Sequence, residues 1–477
     1  MDPISFAKKF KSLLPFDPTY GQKQLIWKLS NFILNDERNA LFLLKGYAGT
    51  GKTSLVSTLV KALPYVRQYS VLLAPTGRAA KILSGYAGKK AHTIHRYIYW
   101  ASRDQEGRFK LALRNNKLKN TIFIVDEASM IPDYQSNSNF QSTSSRSLLE
   151  DLFTHVYTSD DNCKVILIGD DAQLPPVGFD ESPALEMDFL KASYGLNITY
   201  HKLTEVVRQA LESGILYNAT NLRKQIAENR CDLPLFFTAY YNDTVPIQGA
   251  ELEDFINTAY SEEGMENSVI ITRSNKRANL FNQQIRHRIL FQEDQISAGD
   301  HIMVVKNNYF WLPEDSKIGF IANGDIVEIT SIQNREELYG FEFADVSIRF
   351  LDYPDEEEID VKIMLDTIMA ESPALDQARS NALFEEVMKD YEDIPQKQKR
   401  LGQLKKNQYF NALQVKFSYA LTCHKTQGGQ WPVIFIDQGY INDDMFNKEF
   451  LRWMYTAFTR SSKYVYLVNF ESRFFND

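Results

Sequence analysis

Eight consecutive residues, Gly46-Tyr47-Ala48-Gly49-Thr50-Gly51-Lys52-Thr53, have the types and spacing of a loop that holds phosphate. Glycines at 46, 49 and 51, with Thr50 between, let backbone N–H groups close around phosphate oxygens. A helix starting at the loop's end adds partial positive charge. Lys52 is suited to reach β- and γ-phosphates, and the Thr53 hydroxyl to ligate Mg²⁺. A second group follows an apolar run: Thr121–Val125 leads into Asp126-Glu127, where Asp126 would hold the Mg²⁺ shell. Glu127 could orient and deprotonate an attacking water. In Gly169–Val177, Gln173 could bond a γ-phosphate or that water, or the segment could equally be a proline-stiffened turn.

These residues need a scaffold that brings them to one edge. Leu41–Leu44 precedes the glycine loop, and the helix-patterned Ser54–Val60 follows it. With Val71–Ala74, Thr121–Val125 and Val165–Ile168, it predicts a parallel α/β sheet whose ligands gather at the carboxyl ends of the strands. A second set, Ser268–Thr272, Phe417–Thr422, Val433–Asp437 and Tyr464–Asn469, predicts a second α/β domain. Between its first and later runs, Asp300–Phe350 alternates apolar and polar residues around Asn323-Gly324, as in a small antiparallel barrel. The charged Glu371–Lys406 is helix-like, and the Ser/Asn/Gln-rich Gln135–Ser147 reads as a surface loop. The expected division is 1–190, then 191–300 with 411–477, with 301–410 as an insertion.

The bulk numbers bound the partners. A net charge of −8 argues against a surface that coats nucleic acid indiscriminately, but leaves room for a local basic groove. Aromatic residues make up 13% of the chain, a surplus that would suit base stacking although most rings belong in a core. Cys163, Cys231 and Cys423 have neither metal-ligand spacing nor disulfide density, and read as buried thiols in a reducing, cytoplasmic setting. No run is long enough to span a bilayer.

The order of motifs resembles superfamily 1 helicases, and in detail the 1B branch with RecD-like and Dda-like members. Ala74–Lys81 is similar to motif Ia, Thr93-Ile94-His95-Arg96 to the element after it, Asp126–Ser129 to motif II and Gly169–Val177 to motif III. Leu203–Gln209 resembles the segment carrying an arginine finger, Ala420–Gly428 motif V and Tyr455–Arg460 motif VI. The resemblance runs from about residue 20 to 465. It implies two RecA-like domains with ATP and Mg²⁺ in the cleft between them, and an SH3-like barrel within the insertion. Arg208 and Arg460 would be fingers from the second side of the cleft. Gln22 would read adenine, with Gln427 and Gly428 also at the nucleotide.

Contacts to single-stranded DNA are implied for Pro75, Thr76, Thr93, His95, Thr272, Asn275, Thr422 and His424. Hydroxyls and imidazoles suit phosphate oxygens, which position a strand without reading its sequence. Residues 96–119 match the family's hairpin at the duplex fork, with Tyr97 and Trp100 as candidate base contacts. The resemblance implies a monomer acting at single-strand–duplex junctions with 5′-to-3′ movement. An RNA helicase of the same superfamily, and a nucleic-acid-binding module without catalysis, are the competing readings.

Overall fold

The computed structural model describes residues 1–475 apart from 104–108, 134–146, 159–161, 207–212, 313–315, 317–319 and 354–355. Side chains are further left undescribed at 101–103, 109–111 and 397–398. Most of the Ser/Asn/Gln-rich loop therefore lies outside the described residues, as does Arg208.

In chain order, the first strands are β1 (Ala40–Gly46), β2 (Tyr69–Ala74), β3 (Ala91–Thr93), β4 (Tyr99–Arg103), β5 (Phe109–Leu113), β6 (Thr121–Val125), β7 (Lys164–Gly169) and β8 (Asn197–Leu203). Six of them form one parallel sheet in the order β3-β2-β6-β7-β1-β8. All five residues of β6 and all six of β7 are buried, as both-face coverage of a parallel strand requires. Because the strands run in register, Lys45 opposite Gly169 and Val125 opposite Leu167, the loops after β1, β6 and β7 emerge at one edge. The helix Lys52–Ala62 begins at Gly51, whose φ of +82° belongs to the left-handed region that glycine enters without strain. β4 and β5 are an antiparallel pair standing off the sheet, so the 96–119 segment contains the expected hairpin.

The chain enters a second parallel sheet with β9 (Thr244–Ile247) and β10 (Ser268–Thr272). It leaves for a closed barrel of β11 (His301–Val304), β12 (Ile326–Leu338), β13 (Phe341–Phe350), β14 (Ile359–Met364) and β15 (Leu413–Phe417). It returns with β16 (Ala420–Thr422), β17 (Trp431–Asp437) and β18 (Ser461–Val468), giving the order β16-β10-β17-β18-β9. Val327, Ile329, Val346 and Ile348 are buried in the barrel, the inward half of the alternation seen in the sequence, and Ile363 and Val415 join them from β14 and β15. Helices Gln377–Lys389 and Lys397–Leu404 occupy the charged stretch, and Leu383, Val387 and Leu404 pack on Phe341 and Phe343 at the β12–β13 hairpin.

Three sequence-based expectations shift. The first sheet runs past residue 190 to Leu203, because the half-polar alternation of Asn197–Leu203 belongs to an edge strand rather than to a buried run. The Phe417–Thr422 run is two strands: β15 closes the barrel past residue 410, and β16 joins the sheet. The Tyr419 hydroxyl secures the corner between them, donating to Asp300 at 2.9 Å and accepting from His301 N–H at 3.0 Å. Cys163 and Cys423 are buried free thiols as expected, whereas Cys231 is exposed. Among the described residues no helix is long and apolar enough to cross a membrane.

Candidate functional site

The glycine loop sits between the two sheets. Lys52 folds back over it, its ammonium donating to Tyr47 O at 2.9 Å and also to Gly46 O. Both acceptors are backbone carbonyls, which an arriving phosphate can replace without leaving a buried charge unpaired. Thr50 is buried, and its hydroxyl donates to Tyr47 O at 2.7 Å, closing the loop on itself. Thr53 is exposed at the first turn of the following helix.

At the end of β6, Asp126 accepts from the Tyr86 hydroxyl and, at 2.9 Å, from Glu127 N–H. Two donors thus orient this carboxylate, in the way outer bonds orient a metal-ligating oxygen. The all-oxygen pair of Thr53 and Asp126 fits Mg²⁺, a hard cation that keeps much of its water. Glu127 has φ +52°, sparsely populated by residues other than glycine, and its strain belongs to the acidic turn itself. Burial raises the pKa of Glu127, while Arg460 opposes the shift. A carboxylate raised in this way is a stronger base for water.

The second sheet supplies the facing wall. Helix Lys448–Phe458 points its C-terminal end at the loop, and just beyond it Arg460 Nη1 lies 3.9 Å from Glu127 Oε1. The guanidinium is buried and held by Thr456 O at 3.1 Å, Gly429 O at 3.2 Å and Thr459 Oγ1 at 3.3 Å. Gln173 is buried, with its Oε1 unpartnered among the described residues, as a side chain reserved for water or phosphate would be. Arg460, Asp126 and Lys52 all lie within electrostatic reach of Glu127. The Arg223 guanidinium, which sequence reasoning missed, sits 4.5 Å over the Tyr47 ring with Nη1 buried and unpartnered among the described residues. Its only sequence signal is a basic residue on the helix Gly214–Ala227.

Other expected nucleotide contacts are turned elsewhere. Gln22 caps its own helix, its Oε1 accepting from Thr19 N–H at 3.0 Å, and its amide donates to Thr50 O at 3.0 Å. It braces the loop from behind. Gln427 donates to Leu174 O at 2.6 Å, and Gly428 lies against Thr76, where an added Cβ would come 3.0 Å from Thr76 Oγ1. Both belong to the seam between the sheets, because the short helix Cys423–Thr426 directs them there.

Of the expected strand contacts, Pro75, Thr76, Thr422 and His424 are half-buried at strand ends and on the helix Cys423–Thr426. Thr76 and Thr93 cap helices, accepting from Ala79 and Arg96 N–H at 3.2 Å each. Thr272 is fully buried and donates to Ser274 O at 3.1 Å, which removes it from any surface. Asn275 is tied to Glu371 O at 2.9 Å. Burial pushes His95 down to about 4, so it would meet a phosphate only as a neutral N–H donor. Tyr97 is half-buried and packs on the first domain's core, edge-on to Phe123 and His155 at 6.1 and 5.8 Å. The Tyr99 hydroxyl is bound to Asp151, whereas Trp100 is 53% exposed, an open ring among the described residues of the hairpin.

The barrel reaches the same face. Asp325 is buried against Gly77 at the N-terminus of helix Gly77–Ala87, where an added Cβ would lie 2.6 Å from Asp325 Oδ1. That oxygen has no hydrogen-bond partner among the described residues, and burial pushes the Asp325 carboxyl up to about 7. Lys81 adds a donor to Leu351 O at 3.2 Å and an ion pair with Asp352 at 3.5 Å.

An AAA domain family matches residues 22–232, and a UvrD-like helicase C-terminal domain family matches residues 417–468. The Dda DNA helicase of phage T4 is 30% identical over 43% of this chain and 43% of its own. The RecD2 DNA helicase of Deinococcus radiodurans is 30% identical over 38% of this chain and 21% of its own, so the chain spans under half the length of both. A Pif1 helicase from Bacteroides, solved with ADP-AlF3 and single-stranded DNA, covers 93% of this chain and 91% of its own at 15% identity and a TM-score of 0.45. Two parallel sheets facing each other across a glycine loop, with an arginine of one beside a glutamate of the other, define a P-loop ATPase of paired RecA-like domains. With one family match in its first half and the other near its C-terminal end, the chain is similar to the superfamily 1 helicases of the 1B branch.

Proposed function

We propose that the chain is an ATP-dependent DNA helicase that steps along single-stranded DNA in the 5′-to-3′ direction and parts the duplex ahead of it. The observation that carries this is Arg460, placed by the second sheet beside Glu127 of the first. A cation from one domain at the other's phosphate site ties hydrolysis to closure of the cleft. Lys52 and Arg460 draw the domains together on the phosphates, Glu127 takes the proton from the attacking water, and loss of phosphate releases the attraction. Mg²⁺ held by Thr53 and Asp126 would neutralise charge on the β- and γ-phosphates. Unwinding of partial duplexes carrying a 5′ or a 3′ overhang tests the reading. Separation only from 5′ overhangs, dependent on ATP, is the expected result, and separation only from 3′ overhangs would reverse the polarity.

The β4–β5 hairpin is the fork element in this reading, with Trp100 meeting the first base pair. Trp100→Ala should lower duplex unwinding about fivefold, since a base–aromatic stack is worth about 1–3 kcal/mol. DNA-stimulated hydrolysis and thermal stability should be unchanged. Equal loss of translocation would make the hairpin part of the grip instead.

Asp325 stands where a strand phosphate would meet the helix at Gly77. Burying a carboxylate with one oxygen unbonded is unfavourable, so this contact is readily given up to a better-solvated anion. Asp325→Asn should tighten binding of a labelled oligonucleotide by about threefold, the size of a charge effect at a helix N-terminus. Fluorescence anisotropy at fixed salt measures it, and weaker binding would place the strand on another face.

A further inference from the structure

Three residues at the end of helix Lys448–Phe458 reach the first domain, and only Arg460 was expected to. Tyr455 is fully buried. Its hydroxyl accepts from Ala48 N–H of the glycine loop at 2.9 Å and donates to Asp170 Oδ2 at 2.6 Å. The other Asp170 oxygen accepts from Ala172 N–H at 3.0 Å. One residue on, Thr456 Oγ1 accepts from Leu174 N–H at 2.9 Å. The helix end is thus fastened both to the phosphate loop after β1 and to the loop after β7 that carries Gln173. Arg460 Nε in turn bonds Thr456 O at 3.1 Å.

We propose that Tyr455 is a positioning residue for hydrolysis: its hydroxyl joins the phosphate loop to the Asp170 loop when the cleft closes, and so sets Arg460 at the reacting phosphate. The inference rests on the ATP-hydrolysing reading above. The hydroxyl is satisfied from both sides only while the two domains are together. With the cleft open, Ala48 N–H, Asp170 and the hydroxyl can all bond water. Removing the oxygen therefore penalises the closed state alone, where it strands a buried amide and a buried carboxylate oxygen. Burial and the neighbouring Asp170 hold the hydroxyl well above its ordinary pKa, so it stays a donor. The ring packs in the second domain's core with Phe450, Met454 and Phe458, and phenylalanine preserves that packing.

The test is steady-state ATP hydrolysis at saturating single-stranded DNA for the intact chain, Tyr455→Phe, Asp170→Asn and the double variant, with thermal melting of each. Tyr455→Phe should lower kcat about tenfold, as loss of one partner from a buried polar pair predicts. Its KM for ATP should stay within about twofold, since the contact acts on closure rather than on nucleotide capture. Adding Asp170→Asn should lower kcat little further, because both variants break one coupled contact. Unchanged kcat in Tyr455→Phe, multiplying losses in the double variant, or a loss matched by a lower melting midpoint would each overturn the proposal. Absence of DNA-stimulated hydrolysis in the intact protein would defeat the hydrolytic reading itself, and the inference with it.

Discussion

Replacing Lys52 by alanine is expected to abolish DNA-stimulated ATP hydrolysis while leaving single-strand binding in the absence of nucleotide largely intact. The ammonium is the cation at the turn between β1 and the helix Lys52–Ala62, and among the described residues its hydrogen bonds go to the carbonyls of Gly46 and Tyr47. A phosphate entering the loop gains that charge in a half-buried setting, where a charge-assisted bond is about twice as strong as a neutral one. Loss of a single donor aimed at developing negative charge typically lowers turnover by about 10²–10³-fold. The backbone of the loop should survive, because Thr50 and Gln22 close it without help from the lysine. Hydrolysis by the purified variant at near the normal rate would remove the loop from the chemistry. A parallel loss of strand binding would mean that the substitution had unfolded the domain.

Arg460→Ala should lower kcat by about 10³-fold or more, the range for an arginine that stabilises a transferring phosphoryl group. KM for ATP should change far less. The guanidinium is already placed by Thr456, Gly429 and Thr459, so a finger at this position would be held ready before nucleotide binds. Such preorganisation acts on the transition state more than on the bound substrate. Lysine at this position should not rescue turnover, because its point charge cannot reproduce the planar fork that holds all three oxygens. Single-turnover kinetics with saturating DNA separate the cases. A rise in KM at unchanged maximal rate would make Arg460 a ground-state contact. If the loss followed a lower melting midpoint, the three buried acceptors left behind would be the cause instead.

The local chemistry of this chain was legible in its sequence because its residues are neighbours along the chain. Gly46 to Thr53 sit on one turn, and Asp126 and Glu127 end one strand, so spacing alone announced a phosphate loop and its acidic companion. The buried strands β1, β6, β7, β10 and β17 were legible for the same reason: strands covered on both faces are continuous apolar runs. The edge strands β3, β8 and β9 were not, since a half-covered strand mixes polar residues into its pattern. What only the tertiary structure decided lies between segments distant in sequence. Tyr455 meets Ala48 across 407 positions and Asp170 across 285, and no local pattern distinguishes a tyrosine that bridges two domains from one that fills a core. Tyr97 and Trp100 show the same limit, three residues apart yet one packed on Phe123 and the other exposed. Residue type and spacing determine which bonds a side chain can make; the packing of one domain against another decides which partner it meets.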